Sequence, residues 1–234
     1  MTEIAAAFLD ALRLVAALDR GLVEIVLLSL AVSLSAVALA GLVGLPLGAA
    51  LALARFPGRR AVIVLLNALM GLPPVVLGLL LYLLLSRSGP LGVLGLLFTP
   101  TAMIVAQLLL VLPIVAALAR QVIEDLWAEY GEQLRSLGSR RLGTIGTLLW
   151  EGRVALTTAL LAGFGRASAE VGAVMIVGGN IEHLTRVMTT TIVLETSKGD
   201  LPLALGLGLV LLLLSLLVNG AAALLGGIGR QVPA

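Results

Sequence analysis

Cysteine is absent from all 234 residues, which excludes disulfides, thiol nucleophiles and cysteine-bound metals. Histidine is almost absent too: His183 stands alone, so no histidine cluster exists and no metal site is expected around it. Charged residues make up 12% of the chain and aromatics 3%, where a soluble domain carries roughly a quarter charged residues. The chain therefore has too little polar surface to stay in water. There is no Gly-xxxx-Gly-Lys-Ser/Thr phosphate loop, so the chain is not itself an ATPase. No Ser/His/Asp set or carboxylate pair stands in a catalytic context, and no catalytic residue or cofactor site is expected. What is present is aliphatic: 60% of residues are hydrophobic and the mean hydropathy is +1.15. This composition reads as an all-α integral membrane protein. The net charge of +2 gives no indication of nucleic acid.

The first twenty residues lack the basic start, compact apolar core and cleavage site of a signal peptide. Ile4, Phe8, Ala11, Leu12, Val15 and Leu18 fall on one helical face, and Glu3, Asp10, Arg13 and Arg20 on the other. Residues 1–20 are thus expected to form an amphipathic helix along the membrane surface.

About five transmembrane helices follow within residues 21–228, each sized by the roughly 20 residues a span needs. They are expected near 21–54, 61–85, 100–119, 154–177 and 201–225. The first is longer than a bilayer requires and contains Gly44-Leu-Pro46-Leu-Gly48, which offers a kink and a close-contact face. The second is interrupted by Gly71-Leu-Pro73-Pro74. Backbone groups freed there cannot be satisfied by lipid and should face protein or a cavity. Gln107 and Pro113 lie inside the third span.

Orientation follows from the cations. With the Arg55–Arg60 turn inside, that side holds Arg55, Arg59, Arg60, Arg120, Arg135, Arg140, Arg141, Arg153 and Arg230. The other side holds only Arg13, Arg20, Arg87, Arg186 and Lys198. The positive-inside rule then places the N-terminus outside and the C-terminus in the cytoplasm. No long repeat or inverted half is visible, which counts against many secondary transporter folds and suggests that a two-sided pathway needs a second copy of the chain.

Between the third and fourth spans, residues 120–153 form a polar island. It reads either as a solvated connection or as a docking surface. Within it, Glu132 precedes Gly138 by six residues, with Arg135 between, Leu137 before the glycine, and Ser139-Arg140-Arg141 after it. Gly138 suits the position just past a helix end, where positive φ is needed.

Further on, Arg166 lies about 20 Å along the helix from Arg153 at 1.5 Å per residue, near mid-bilayer. Glu170, four residues later, is expected on the same face and able to pair with it. Such a pair either neutralises itself while holding helices together or rearranges as a gate. Gly165, Ala169 and Ala173 recur beside it at four-residue spacing, which would admit a neighbouring helix closely. Gly178-Gly179-Asn180 ends this span. Leu184–Thr196 is helical in character but too short to cross. Thr189, Thr190 and Thr191 could offer hydroxyls to a passing oxyanion, or sit as β-branched residues in a buried turn. His183 reads as an exposed loop residue.

The Glu132–Gly138 spacing resembles the cytoplasmic signature of ABC importer permeases, a Glu-Ala-Ala-xxx-Gly pattern followed by a hydrophobic segment. Gln133 and Leu134 replace its two alanines, and Trp150-Glu151 stand where that family usually has Leu-Pro. A longer likeness is carried by Arg166-Ala-Ser-Ala-Glu170-Val-Gly172-Ala-Val-Met-Ile-Val-Gly178-Gly179-Asn180. It is similar to the corresponding region of molybdate and tungstate permeases. The continuation from Thr185 through Thr189-Thr190-Thr191 to Asp200 looks like the tungstate branch.

The resemblance implies the type I permease fold of ABC importers and a homodimer in the cytoplasmic membrane. It further implies two ATPase subunits that bind ATP and Mg on the partner, and an extracytoplasmic oxyanion-binding protein. It assigns ATPase coupling to Glu132, Arg135, Leu137, Gly138, Arg140 and Arg141. The residues Arg166, Glu170, Gly172, Gly178, Gly179, Asn180 and Thr189–Thr191 are the candidates for pathway or gate. Tungstate is the expected cargo. Molybdate, sulfate or another solute on the same machinery, and an ATP-independent secondary transporter or channel, stay open as alternatives.

Overall fold

The computed structural model describes residues 2–138 and 141–229, and among the described residues it contains helices and no strand. In chain order these are α1 (Thr2–Ala16), α2 (Arg20–Leu53), α3 (Arg59–Met70), α4 (Pro74–Leu85), α5 (Pro100–Ser136), α6 (Arg141–Glu151), α7 (Arg153–Ser168), α8 (Gly172–Gly178), α9 (Met188–Lys198) and α10 (Leu201–Gly229). One 3-10 turn, Gly92–Leu94, lies in the loop before α5. Three helices, α2, α5 and α10, are each long and apolar enough to cross a membrane; the number is up to five if the broken pairs α3 with α4 and α7 with α8 each count as one span.

Local chemistry explains the boundaries. The Asp19 carboxylate accepts the Leu22 N–H at 3.1 Å, serving as cap for α2. The Thr99 hydroxyl oxygen accepts the Ala102 N–H at 3.4 Å, with Pro100 in the first position of α5, where its missing donor costs nothing. The break between α3 and α4 falls on Gly71-Leu-Pro73, as expected, and Pro74 opens α4.

Two boundaries differ from expectation. The helix that holds the third span runs on past Ala119: α5 extends to Ser136, so the first half of the polar island is helical. The fourth span is not continuous, because α7 ends at Ser168 and α8 starts only at Gly172. Ala169 therefore does not share a helix with Gly165 and Ala173, and the expected small-residue stripe is split.

The chain divides into two compact units. The first comprises Met1–Ser35, Pro73–Gln107 and Ala167–Val218. Its core gathers Leu22, Met188 and Leu207 with Leu14, Val15 and Ile25 packed against them. Through Leu14, Val15 and the fully buried Ala11, α1 docks onto this unit, while Phe8, Leu12 and Leu18 stay exposed. Here α4 and α8 approach closely: a Cβ on Gly78 would lie 2.8 Å from the Ala173 Cα.

The second unit comprises Ala36–Leu72, Leu108–Arg166 and Asn219–Ala234. The glycine pair of α2 does here what its spacing announces, with α5 as partner. A Cβ on Gly44 would meet the Val115 side chain at 3.1 Å, and one on Gly48 would lie 2.4 Å from the Ala116 carbonyl oxygen. Ala49, Ile123 and Leu148 form a core below this crossing, joining α2, α5 and α6. On α10, Leu212, Leu213, Leu216 and Leu217 in the first unit and Leu224 in the second are exposed.

Candidate coupling and pathway sites

The coupling candidates sit at the end of α5. The Leu137 N–H donates to the Gln133 carbonyl at 3.1 Å and the Gly138 N–H to Arg135 at 3.0 Å, and Gly138 has φ +66°. This left-handed position closes the helix and costs a residue with a Cβ strain that glycine avoids. The Arg135 guanidinium lies 4.9 Å over the Trp127 ring, and the same ring lies across Gly131, where a Cβ would be 3.1 Å from it. Leu137 is 80% exposed and Trp150 71%, so two large apolar side chains project outward near this end. A cavity of about 270 Å³ is lined by Tyr130, Gln133, Leu134, Leu137, Thr147, Leu148 and Glu151. Glu132 and Arg135 lie on the helix, whereas Ser139 and Arg140 fall outside the described residues. Arg141 opens α6.

An ionic cluster that sequence reading did not identify centres on Glu124 of α5, eight residues before Glu132. The Glu124 carboxylate accepts from the Arg59 Nη2 at 2.6 Å and from the Arg120 Nη1. Arg59 also donates through Nε to the Leu51 carbonyl at 2.7 Å and through Nη2 to Ala52 at 3.3 Å. These are carbonyls that the end of α2 leaves without helical partners. Arg120 is only 12% exposed, and its Nε–H is buried with no acceptor.

The pathway candidates from Glu170 to Thr191 lie in the first unit, after the end of α7, whereas Arg166 is the last residue of a segment of the second unit. Glu170, expected on the face of α7, lies beyond the helix end and is 4% exposed. Its Oε1 accepts the Ala173 N–H at 3.1 Å, and its backbone carbonyl accepts the Thr189 hydroxyl at 2.8 Å. Arg166 occupies the last turn of α7, where a cation is favoured by the helix dipole. Thr190 donates to the Asn180 side-chain oxygen at 2.8 Å or the Val187 carbonyl at 3.1 Å, and Thr191 to the Val187 carbonyl at 2.7 Å. Thr189, Thr190 and Thr191 are all buried.

Gly172 packs against Val75, and Gly178 against Met103. Gly179, at φ +72°, leaves room for the Phe98 ring, which a Cβ would approach to 2.7 Å. The helix expected over Leu184–Thr196 is α9, shifted to Met188–Lys198. Its buried Glu195 pairs with the Lys198 Nζ at 2.9 Å. His183 is exposed and stands 3.0 Å from a Glu24 carboxylate oxygen. Among the described residues no group of three metal-ligating side chains exists.

Buried polar side chains away from the motifs complete this assembly. Ser29 accepts the Met188 N–H and donates to Ile25, both at 2.7 Å, anchoring α9 to α2. Thr185 donates to the Gly178 carbonyl at 2.6 Å. Gln107 donates to the Ala167 carbonyl at 3.0 Å, while its Oε1 is buried and without a partner. Gln107, Ser29 and Ser33, with Glu170 and Thr189, line a cavity of about 10 Å³, the size of about one water molecule. The isolated polar residues in apolar runs, Ser29, Ser33 and Gln107, were the available signal: a polar group inside a span must find a partner in protein.

No family model matches the chain. Its relatives do speak. It is 42% identical over 219 residues, 94% of this chain and 96% of the relative, to the tungstate uptake system permease protein of Peptoclostridium acidaminophilum. It is 41% identical over 207 residues, 86% of this chain and 89% of the relative, to a probable anion ABC transporter permease protein of Haloferax volcanii. To the sulfate transport system permease protein of Salmonella typhimurium it is 32% identical over 188 residues, 76% and 67% of the two chains. The chain belongs to the tungstate-type permeases of the ABC importers.

Proposed function

We propose that this protein is the membrane subunit of an ATP-driven importer that carries tungstate across the cytoplasmic membrane by alternating access. The observation that carries the reading is the 42% identity to a tungstate permease over 94% of the chain. Two copies enclose the pathway, two ATPase subunits bind ATP and Mg, and an extracytoplasmic protein delivers the anion; the N-terminus faces outward and the C-terminus inward.

Glu132, Arg135, Leu137, Gly138, Arg140 and Arg141 form the surface that the ATPase presses. The exposed Leu137 and the positive φ of Gly138 support this reading, since a rigid helix end with an apolar tip can transmit a push into α5. Arg166, Glu170, Gly172, Gly178, Gly179, Asn180 and the three threonines form the wall or gate of the pathway. Their support is the hydrogen bonding that ties Thr189 to Glu170 and Thr190 to Asn180.

The test is reconstitution with the ATPase subunits and the binding protein. The expected outcome is ATP-dependent uptake of labelled tungstate, with Gly138→Pro and Glu132→Lys abolishing it. Normal uptake and ATPase association in both variants would remove the coupling assignment, and flux without nucleotide would favour a secondary transporter or channel. The 32% identity to a sulfate permease supports a second cargo reading. Competition by sulfate or molybdate at concentrations equal to tungstate decides it.

A further inference from the structure

We propose that Glu124 is a positioning residue, the joint through which displacement of the coupling end of α5 is passed to α2 and α3. This rests on the coupling reading above. Two helices meet on one carboxylate, and a third is tied to it through Arg59: Glu124 sits on α5, Arg120 one turn before it, and Arg59 at the first position of α3. Arg59 in turn holds the C-terminal carbonyls of α2 at Leu51 and Ala52. Glu124 precedes Glu132 by eight residues of uninterrupted helix, about 12 Å at 1.5 Å per residue. A push on that end therefore reaches the carboxylate through a rigid rod.

The cluster is a poor device for stability alone. It sets two guanidinium groups against one carboxylate, and the Arg120 Nε–H is buried without an acceptor. Arg59 and Glu124 are each about a third exposed, and ion pairs open to solvent add little stability, while the buried orphan donor of Arg120 calls for an explanation. A second arrangement, in which Arg120 turns to another acceptor while Glu124 keeps Arg59, supplies one. It makes the joint an element with two positions, as conformational transmission requires.

The experiment uses the complete complex in proteoliposomes, with loaded binding protein and labelled tungstate. It compares Glu124→Gln, the double variant Arg120→Gln with Glu124→Gln, and Asp125→Asn, an exposed neighbour, as control. The readouts are anions moved per ATP hydrolysed and thermal stability. Glu124→Gln is expected to keep its ATPase subunits while the transport-to-hydrolysis ratio falls about tenfold, a typical coupling effect. Removing the stranded Arg120 charge should restore stability in the double variant without restoring the ratio. Asp125→Asn should match the native chain.

An unchanged ratio in Glu124→Gln overturns the proposal, as does a double variant that recovers ratio and stability together, which would reduce the cluster to packing. Gly138→Pro, run in parallel, separates the two levels. If it transports normally, the coupling end is misassigned; if it fails while Glu124→Gln is normal, only the joint falls.

Discussion

At Gly48 the backbone of α2 lies so close to α5 that a Cβ would stand 2.4 Å from the Ala116 carbonyl oxygen. Backbone cannot step aside as a flexible side chain does, so Gly48→Ala is expected to destabilise by about 1–3 kcal/mol, the usual cost of overpacking. Gly220, on α10, has open space where a Cβ would sit, and Gly220→Ala should be neutral or stabilising by up to about 1 kcal/mol through helix propensity. Thermal unfolding of the two variants in one detergent measures the difference in sign. At Thr189 the hydroxyl donates to the Glu170 carbonyl inside a buried environment. Thr189→Val keeps the shape and deletes the donor, for an expected loss of about 1 kcal/mol in the same assay. The sequence made the glycine legible through its four-residue spacing to Gly44. It did not make the hydroxyl's partner legible, because nineteen residues separate Thr189 from Glu170.

At the scale of elements, helix ends decide where force can enter. The run from Pro100 to Ser136 is one helix although its polarity changes near Arg120. Neither the change of polarity nor Pro113, which has no N–H to donate, ends the helix; it closes ahead of the left-handed Gly138. Gly138→Ala should therefore strain the end of α5 by about 1–2 kcal/mol, with faster amide exchange at Leu137 and weaker ATPase association. Gly138→Asn should be milder, since asparagine tolerates this conformation better. The opposite error concerns α7 and α8. Val154–Val177 is mostly apolar, with Arg166 and Glu170 its only charges, and reads as one span, yet it breaks at Ala169–Val171, where the Glu170 carboxylate takes the Ala173 N–H. Gly78→Val tests the α4–α8 approach: its side chain would force α8 outward, destabilising by about 1–3 kcal/mol and exposing Ala173 to exchange.

At the scale of the whole molecule, the membrane sets the boundary conditions. Three helices qualify as spans alone and five when broken pairs are joined, in agreement with the five apolar runs. The absence of cysteine makes orientation directly testable. A cysteine replacing Gln133 should react with impermeant reagent only from the inside, and one replacing Arg87 only from the outside. Labelling of the first from outside would invert the topology. Mass measurement of the purified permease in nanodiscs is expected to give two copies.

Composition alone determined that this chain lives in lipid, because 12% charged residues cannot solvate a folded surface. Apolar run length marked five candidate spans, and glycine spacing determined which face of α2 comes close to a neighbour. Local signals of this kind depend on residues within one or two turns of each other. The tertiary structure decided what joins distant segments: that Arg59 and Arg120 converge on Glu124, that Ser29 anchors α9, and that Thr189 reaches Glu170. A polar side chain in an apolar run announces that it needs a partner, but only the packed chain determines which one satisfies it.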